Sequence, residues 1–280
     1  MTTFVFDHIY KTAGTTFNLS YLPAAFEPQE LFVVRGMLEP NREDLNRLRA
    51  LNEEESRRLR MIAGHNTGQL RSAFRHAKYL TLVREPTARA ISGYLHALYH
   101  TGAFEFIGRE LQENNVGFSQ FIEQDLFARR YADFVSLHDW QAKVLIGAEN
   151  LSTMRLNREA VIEAVRSRFH LVGYTEAFEK FLFFLHVTEG FPLVLFQNRL
   201  VRPAQQSLRT TETDLARIEL YSRLDRFVYD CVREEFDARI SAIWTSSLAE
   251  KYEEYIHALN EFRKDADEKS SVRFQCASRC

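Results

Sequence analysis

The strongest constraint on this chain lies near its start, in Phe4-Val-Phe-Asp-His-Ile-Tyr-Lys-Thr-Ala-Gly-Thr-Thr-Phe17. An apolar run stops at a turn of small residues, after which apolar residues resume with helical spacing. Phe4, Val5, Phe6 and Ile9 suit a buried strand, because aromatic and β-branched side chains pack well on a pleated surface. Ala13, Gly14, Thr15 and Thr16 would let a ligand come close to the backbone, with Gly14 tolerating positive φ and either threonine able to cap the helix that follows. The free N–H groups and positive dipole end of that helix would face an anion, and Lys11 adds a full charge. Strand, loop and helix in this order predict a phosphate site or a sulfate site. The pattern is not that of the usual nucleotide loop, in which lysine directly follows a glycine, since Lys11 here precedes Gly14.

Two further stretches carry chemistry. Met61-Ile-Ala-Gly-His65 reads as a short strand that presents His65 at its end. In open α/β sheets ligands collect outside the carboxyl ends of the strands, and a histidine there can serve as a general base near neutral pH. Tyr79 to Val83 reads as a central strand, followed by Arg84-Glu-Pro-Thr-Ala-Arg89-Ala-Ile-Ser92-Gly-Tyr94, where Pro86 opens a helix. An arginine fork at the strand end, with the Ser92 hydroxyl brought round by the helix, can hold a phosphate dianion by charge-assisted hydrogen bonds.

Together these stretches resemble the signatures of sulfotransferases that use 3′-phosphoadenosine 5′-phosphosulfate (PAPS), particularly the carbohydrate, heparan-sulfate O-sulfotransferase-like branch. Lys11-Thr-Ala-Gly-Thr-Thr16 is similar to the family's 5′-phosphosulfate loop, "HIPKTAGTT", and residues 84–94 to its 3′-phosphate motif, "RxPxxRxxSxY". The segment around Gly64-His65 resembles a "GH" element whose histidine acts as base. Fainter likenesses are Trp140 to Gly147, similar to "QxxxLxG", and residues 172–178, similar to "VGxTExF". Tyr10 stands where proline is common and Glu85 where aspartate is usual. The resemblance implies that Lys11 neutralises the leaving phosphate, that Lys11, Thr12, Ala13, Gly14, Thr15, Thr16 and the N–H of Phe17 hold the 5′-phosphosulfate, that Arg84 and Ser92 hold the 3′-phosphate, and that His65 is the base. It implies PAPS as donor, 3′,5′-adenosine bisphosphate (PAP) as product, no metal, and an acceptor hydroxyl on a carbohydrate. A P-loop kinase using ATP and a non-catalytic nucleotide-binding protein of the same fold are the competing readings.

The rest of the chain sets the frame. Alternating strands and helices predict an α/β, P-loop-like three-layer fold: a mainly parallel sheet flanked by helices, with a helical C-terminal part. The segments Leu31 to Val34 and Phe169 to Val172 read as further strands, the latter with a glycine exit and Thr175 capping the next helix, and Asn41 to Arg60 as a solvated helix or helix pair. With 280 residues, 45% of them hydrophobic, and no Pro/Gly/Ser-rich linker, the sequence predicts one domain over residues 1–262 and a polar, flexible tail over 263–280. A net charge of −2 argues against a broad nucleic-acid surface. No uncharged run approaches the roughly 20 residues that cross a bilayer, and the N-terminus lacks signal-peptide character. Cys231, Cys276 and Cys280 are too few and odd in number for a disulfide framework, which suits a cytoplasmic protein. His96 and His100 have metal-like spacing without a third ligand and read as a packed or solvated pair, and His8 reads as a core histidine.

Overall fold

A computed structural model describes residues 2–36, 39–99, 105–124, 137–147, 158–198, 208 and 210–277. Its centre is a parallel sheet of β1 (Phe4–Asp7), β2 (Leu31–Val33), β3 (Met61–Gly64), β4 (Lys78–Val83) and β5 (Leu171–Tyr174), in the order β2-β3-β1-β4-β5. Phe4 lies opposite Met61 on one side and Lys78 on the other, so β1 sits between β3 and β4. The chain leaves β1 for β2 at one edge, returns through β3, and passes β1 to reach β4 and β5. The carboxyl end of β1 is therefore where the connections diverge, the position at which such sheets open a crevice.

Strand periodicity divides the core in two. Phe4, Phe6, Met61, Ala63, Leu80 and Leu82 join one apolar cluster, while Val5, Ile62 and Tyr79 join another. Successive side chains point to opposite faces, and strands buried on both faces need helices on both. Helical segments follow β1 as α1 (Gly14–Thr16), a π-helical stretch (Phe17–Tyr21) and α2 (Leu22–Ala25). The charged segment after β2 is the helix pair α3 (Glu39–Arg49) and α4 (Glu53–Arg58), with Leu45 and Leu48 buried and Arg42, Arg47 and Arg49 exposed. After β4 come α5 (Pro86–Tyr99), α6 (Glu105–Glu113), α7 (Phe118–Gln124), α8 (Trp140–Ile146) and α9 (Arg158–Arg168). After β5 come α10 (Phe178–Glu189), α11 (Glu212–Tyr221), α12 (Arg223–Ile243) and α13 (Ser246–Ala277). Among the described residues no helix is long and apolar enough to cross a membrane.

Two expectations are corrected, for β5 and for Thr175. The last strand lies two residues later than the apolar pattern implies, so Gly173 is inside it rather than at its exit. The Thr175 hydroxyl donates to the Val83 carbonyl at 3.1 Å, tying β5 to β4 instead of capping a helix. Residues 263–277 continue α13, where Arg263 pairs with Glu179 at 2.9 Å and lies over the Phe196 ring. His100, Thr101 to Phe104, residues 131–136 and Cys280 lie outside the described residues.

One buried carboxylate joins three helices. Asp225 of α12 accepts the Ala142 N–H of α8 at 2.8 Å and faces Arg89 of α5 at 3.5 Å, all three being buried. Burial pushes the Asp225 carboxyl up to about 6, against the pull of Arg89. Removing one member of such a pair leaves the other charge buried and uncompensated. Asp225→Ala should therefore lower the urea-unfolding free energy by about 3–5 kcal/mol, and Asp225→Asn, which keeps an acceptor for Ala142, by less; equal losses would show that charge rather than hydrogen bonding holds the junction.

Candidate active site

The loop between β1 and α1 is held in an uncommon shape. Lys11 and Ala13 both adopt left-handed backbone conformations, with φ of 68° and 63°. Each costs on the order of 1–2 kcal/mol for a residue with a Cβ, so surrounding bonds must hold them. Between them Thr12 is fully buried and its hydroxyl donates to the Ile9 carbonyl at 2.8 Å. Residues in such conformations turn successive N–H groups toward a common concavity, which suits an anion.

The left-handed residue at the helix start is Ala13 and not Gly14, and neither Thr15 nor Thr16 caps the helix, because both already lie within α1. Gly14 is required for space. A Cβ there would lie 1.9 Å from Cδ2 of the His8 ring. The N–H of Phe17 donates to the Ala13 carbonyl at 3.1 Å, which takes it out of the donor set expected for the anion. Its ring is fully buried against Phe6, Tyr21 and Phe178 and anchors the helix on the sheet.

His65 follows β3. Gly64 precedes it with φ of 152°, and a Cβ there would meet Val34 Cβ at 2.6 Å, so the turn into His65 admits no side chain. The His65 ring stacks on His8 with centroids 4.0 Å apart, and its Nδ1 lies 2.7 Å from the His8 carbonyl oxygen. A carbonyl only accepts, so Nδ1 carries the proton and Nε2 keeps its lone pair. Asn41, itself buried, donates to the His65 carbonyl at 2.9 Å and holds the backbone. Loss of solvation pushes the imidazole down to about 4, with the Lys11 ammonium adding to the effect against the His8 bond. His8 is held well below the usual histidine range, first by burial and then by His65 and Lys11. At neutral pH both rings are uncharged beside a lysine cation. His8, expected as a core residue and buried as such, also belongs to the site; its place between Phe6 and Ile9 in an apolar run concealed this.

Arg84 leaves β4 toward the same place. Its Nη1 donates to the Lys11 carbonyl at 3.1 Å, while Nε is buried without a hydrogen-bond partner. Gln141 of α8 grips the Arg84 backbone from both sides, accepting its N–H at 2.7 Å and donating to its carbonyl at 2.9 Å. Glu85 caps α5 by accepting the Ala88 N–H at 2.6 Å and pairs with Arg226. Ser92 is half buried in α5, and neither the bond from Arg84 to Lys11 nor that between His65 and His8 includes it. His96 is buried in α5 with its ring 5.7 Å from Tyr10.

The loops after β1, β3 and β4 therefore converge at the carboxyl edge of three adjacent strands. What they assemble is a cation on a strained loop, an arginine fork bonded to that loop, and a neutral imidazole with one nitrogen fixed and the other able to accept a proton. Arg84's unpartnered Nε fits an anionic group better than a neutral one. No protein-family model matches this chain, and no curated protein matches it.

Because the folded-state pKa of His65 is lowered, its contribution to stability is complete above the unfolded value near 6.5 and is lost as pH falls toward about 4. Between those limits the wild type should lose up to about 3 kcal/mol more than His65→Asn in chemical denaturation; parallel profiles would show that the ring is charged or solvated in the folded state. Saturation with an anion beside Lys11 should raise the His65 pKa in an NMR titration, since it cancels the positive field.

Proposed function

We propose that this protein is a PAPS-dependent sulfotransferase that acts on an acceptor hydroxyl, most simply one on a carbohydrate. The observation that carries the proposal is the orientation of His65: its Nδ1–H is committed to the His8 carbonyl, and Nε2 is left to accept a proton beside the Lys11 loop. The motif resemblance supplies the donor and the acceptor class.

In this reading the donor's phosphosulfate lies against the N–H groups of the Lys11 to Thr16 loop, and its 3′-phosphate against Arg84, with Ser92 assisting. Binding the donor neutralises the Lys11 field and makes His65 a stronger base when the substrate is in place. The acceptor oxygen attacks sulfur in line as its proton passes to Nε2 of His65. The sulfur–oxygen bond to the 5′-phosphate breaks with its electron pair on the phosphate, where Lys11 meets the developing charge, and PAP departs. Groups fixed in advance at the two ends of the displacement stabilise charge without reorganising. The lowered pKa of His65 keeps the ring neutral at working pH, the rise on donor binding is what gives it strength as a base, and part of the residue remains accessible. A reducing, cytoplasmic setting follows from the cysteine usage.

Calorimetric titration without magnesium tests the donor. PAP should bind much more tightly than ADP, and Arg84→Ala should erase the preference; equal binding of the two would remove the 3′-phosphate assignment and favour an ATP-using kinase. In transfer assays Lys11→Ala should reduce turnover by about 10²–10³. His65→Ala should reduce it by about 10²–10⁴ with little change in PAP affinity, and a large loss of PAP binding in that variant would make His65 a binding residue. Tight PAP binding with no transfer to any hydroxyl would favour the non-catalytic reading.

A further inference from the structure

A second cationic site lies at the opposite end of the sheet. A cavity of about 640 Å³ opens at the amino-terminal ends of β4 and β5, lined by Arg71, Arg75, Lys78, Arg166, Arg168 and Arg239 among others. Its volume is within the range of about 300–1,000 Å³ typical of small-ligand sites. Glu235 is the carboxylate of its lining, and Glu189 stands nearby. These two carboxylates are engaged: Glu235 pairs with Arg166 at 2.7 Å, and Glu189 with both Lys78 at 2.6 Å and His170 at 2.5 Å. The remaining guanidiniums turn to neutral oxygens. Arg71 donates to the Arg168 carbonyl, Arg75 to the Ser72 carbonyl at 3.2 Å, and Arg239 to the His170 carbonyl at 3.0 Å.

Several donors on the residues that line this cavity have no acceptor. Arg71 Nε and Nη2, Arg168 Nε and the Tyr79 hydroxyl are all buried without hydrogen-bond partners, and Tyr79 as a whole is only 4% exposed. The Arg71 guanidinium is sandwiched, 3.9 Å from the Tyr79 ring centroid and 4.8 Å from that of Phe169. Stacking occupies its two faces and leaves its N–H edge to be satisfied in the plane. Burial and the neighbouring Arg168 charge both lower the Arg71 pKa, and Asp7 offsets this in part. Like charges gathered in a partly desolvated cavity, with donors unanswered, are stable only at a cost that a bound anion removes. A chain of net charge −2 has no compositional reason to gather six cations here.

We infer that the cavity formed by Tyr79, Arg71, Arg168 and Arg239 binds a small oligoanion bearing two or more phosphate or sulfate groups. Tyr79 and the Arg71 edge hold one group in the depth of the cavity, and Arg239 with Arg75, both exposed at its mouth, meet the next. This site is separate from the Lys11 loop, which follows β1 at the other edge of the same sheet.

Inorganic pyrophosphate is the probe, titrated calorimetrically into the full chain at low salt, with orthophosphate as the single-group control. Pyrophosphate should bind wild type and still bind Lys11→Ala, in which the loop site has lost its cation. It should bind Arg168→Gln at least about tenfold more weakly, the value of one charge-assisted hydrogen bond. Arg239→Gln, at an exposed position that leaves the fold intact, should weaken it severalfold and serves where Arg168→Gln unfolds. Absence of pyrophosphate binding to wild type, its loss in Lys11→Ala, or wild-type affinity in the folded arginine variants would each overturn the inference. Orthophosphate binding as tightly as pyrophosphate would overturn the oligoanion assignment.

Discussion

The carbonyl of Lys11 accepts a hydrogen bond from the Arg84 guanidinium, and the carboxyl edge of the sheet depends on it. Lys11 and Ala13 sit in backbone conformations that L-residues avoid, so the β1 loop keeps its shape only if neighbouring elements over-determine it. Arg84 supplies that constraint from β4, and Gln141 supplies it to Arg84 in turn through two hydrogen bonds to its backbone. The chain of bonds runs from α8 to β4 to the β1 loop. It explains why two segments more than sixty residues apart, read separately as anion-binding motifs, form one structural unit.

Packing and electrostatics reinforce each other beside this unit. The His8 and His65 rings stack closely enough that a Cβ on Gly14 would strike the first of them, and the same closeness strips both of solvent. Desolvation favours the neutral imidazoles, and Lys11 adds a repulsion that an incoming anion would cancel. The positive charge at the site is thus carried by Lys11 with Arg84 behind it, and the histidine is held as an acceptor. An anionic donor and a protic acceptor are the pair of ligands for which this arrangement is suited.

The sheet also separates two kinds of positive charge. At the carboxyl ends, Lys11 and Arg84 are held by backbone hydrogen bonds that leave donor capacity directed at the crevice. At the amino ends, Arg71 and Arg168 line a cavity with Tyr79 and Phe169, where the two rings lie against the Arg71 guanidinium and Asp7 offsets part of the charge. The near-neutral composition conceals both, because the balancing carboxylates lie on exposed helices such as α4, whose Glu53 and Glu54 pair with Arg57 and Arg58.

Local sequence was enough to determine the parallel-sheet fold class, the strands after which Lys11, His65 and Arg84 emerge, a helix after the β1 loop and the helix that begins at Pro86. These follow from hydrophobic periodicity and from small or cyclic residues at strand exits, which act over a few residues. The reason for Gly14, the recruitment of His8, the tautomer of His65 and the grip of Gln141 on Arg84 depend on partners distant in the chain. So does the basic cavity, whose arginines come from the turn before β4, from α9 and from α12. No window of sequence contains such contacts. Only the order β2-β3-β1-β4-β5, which sets β3 and β4 on either side of β1, brings His65 and Arg84 to the Lys11 loop and leaves Arg71 and Arg168 facing each other at the opposite edge.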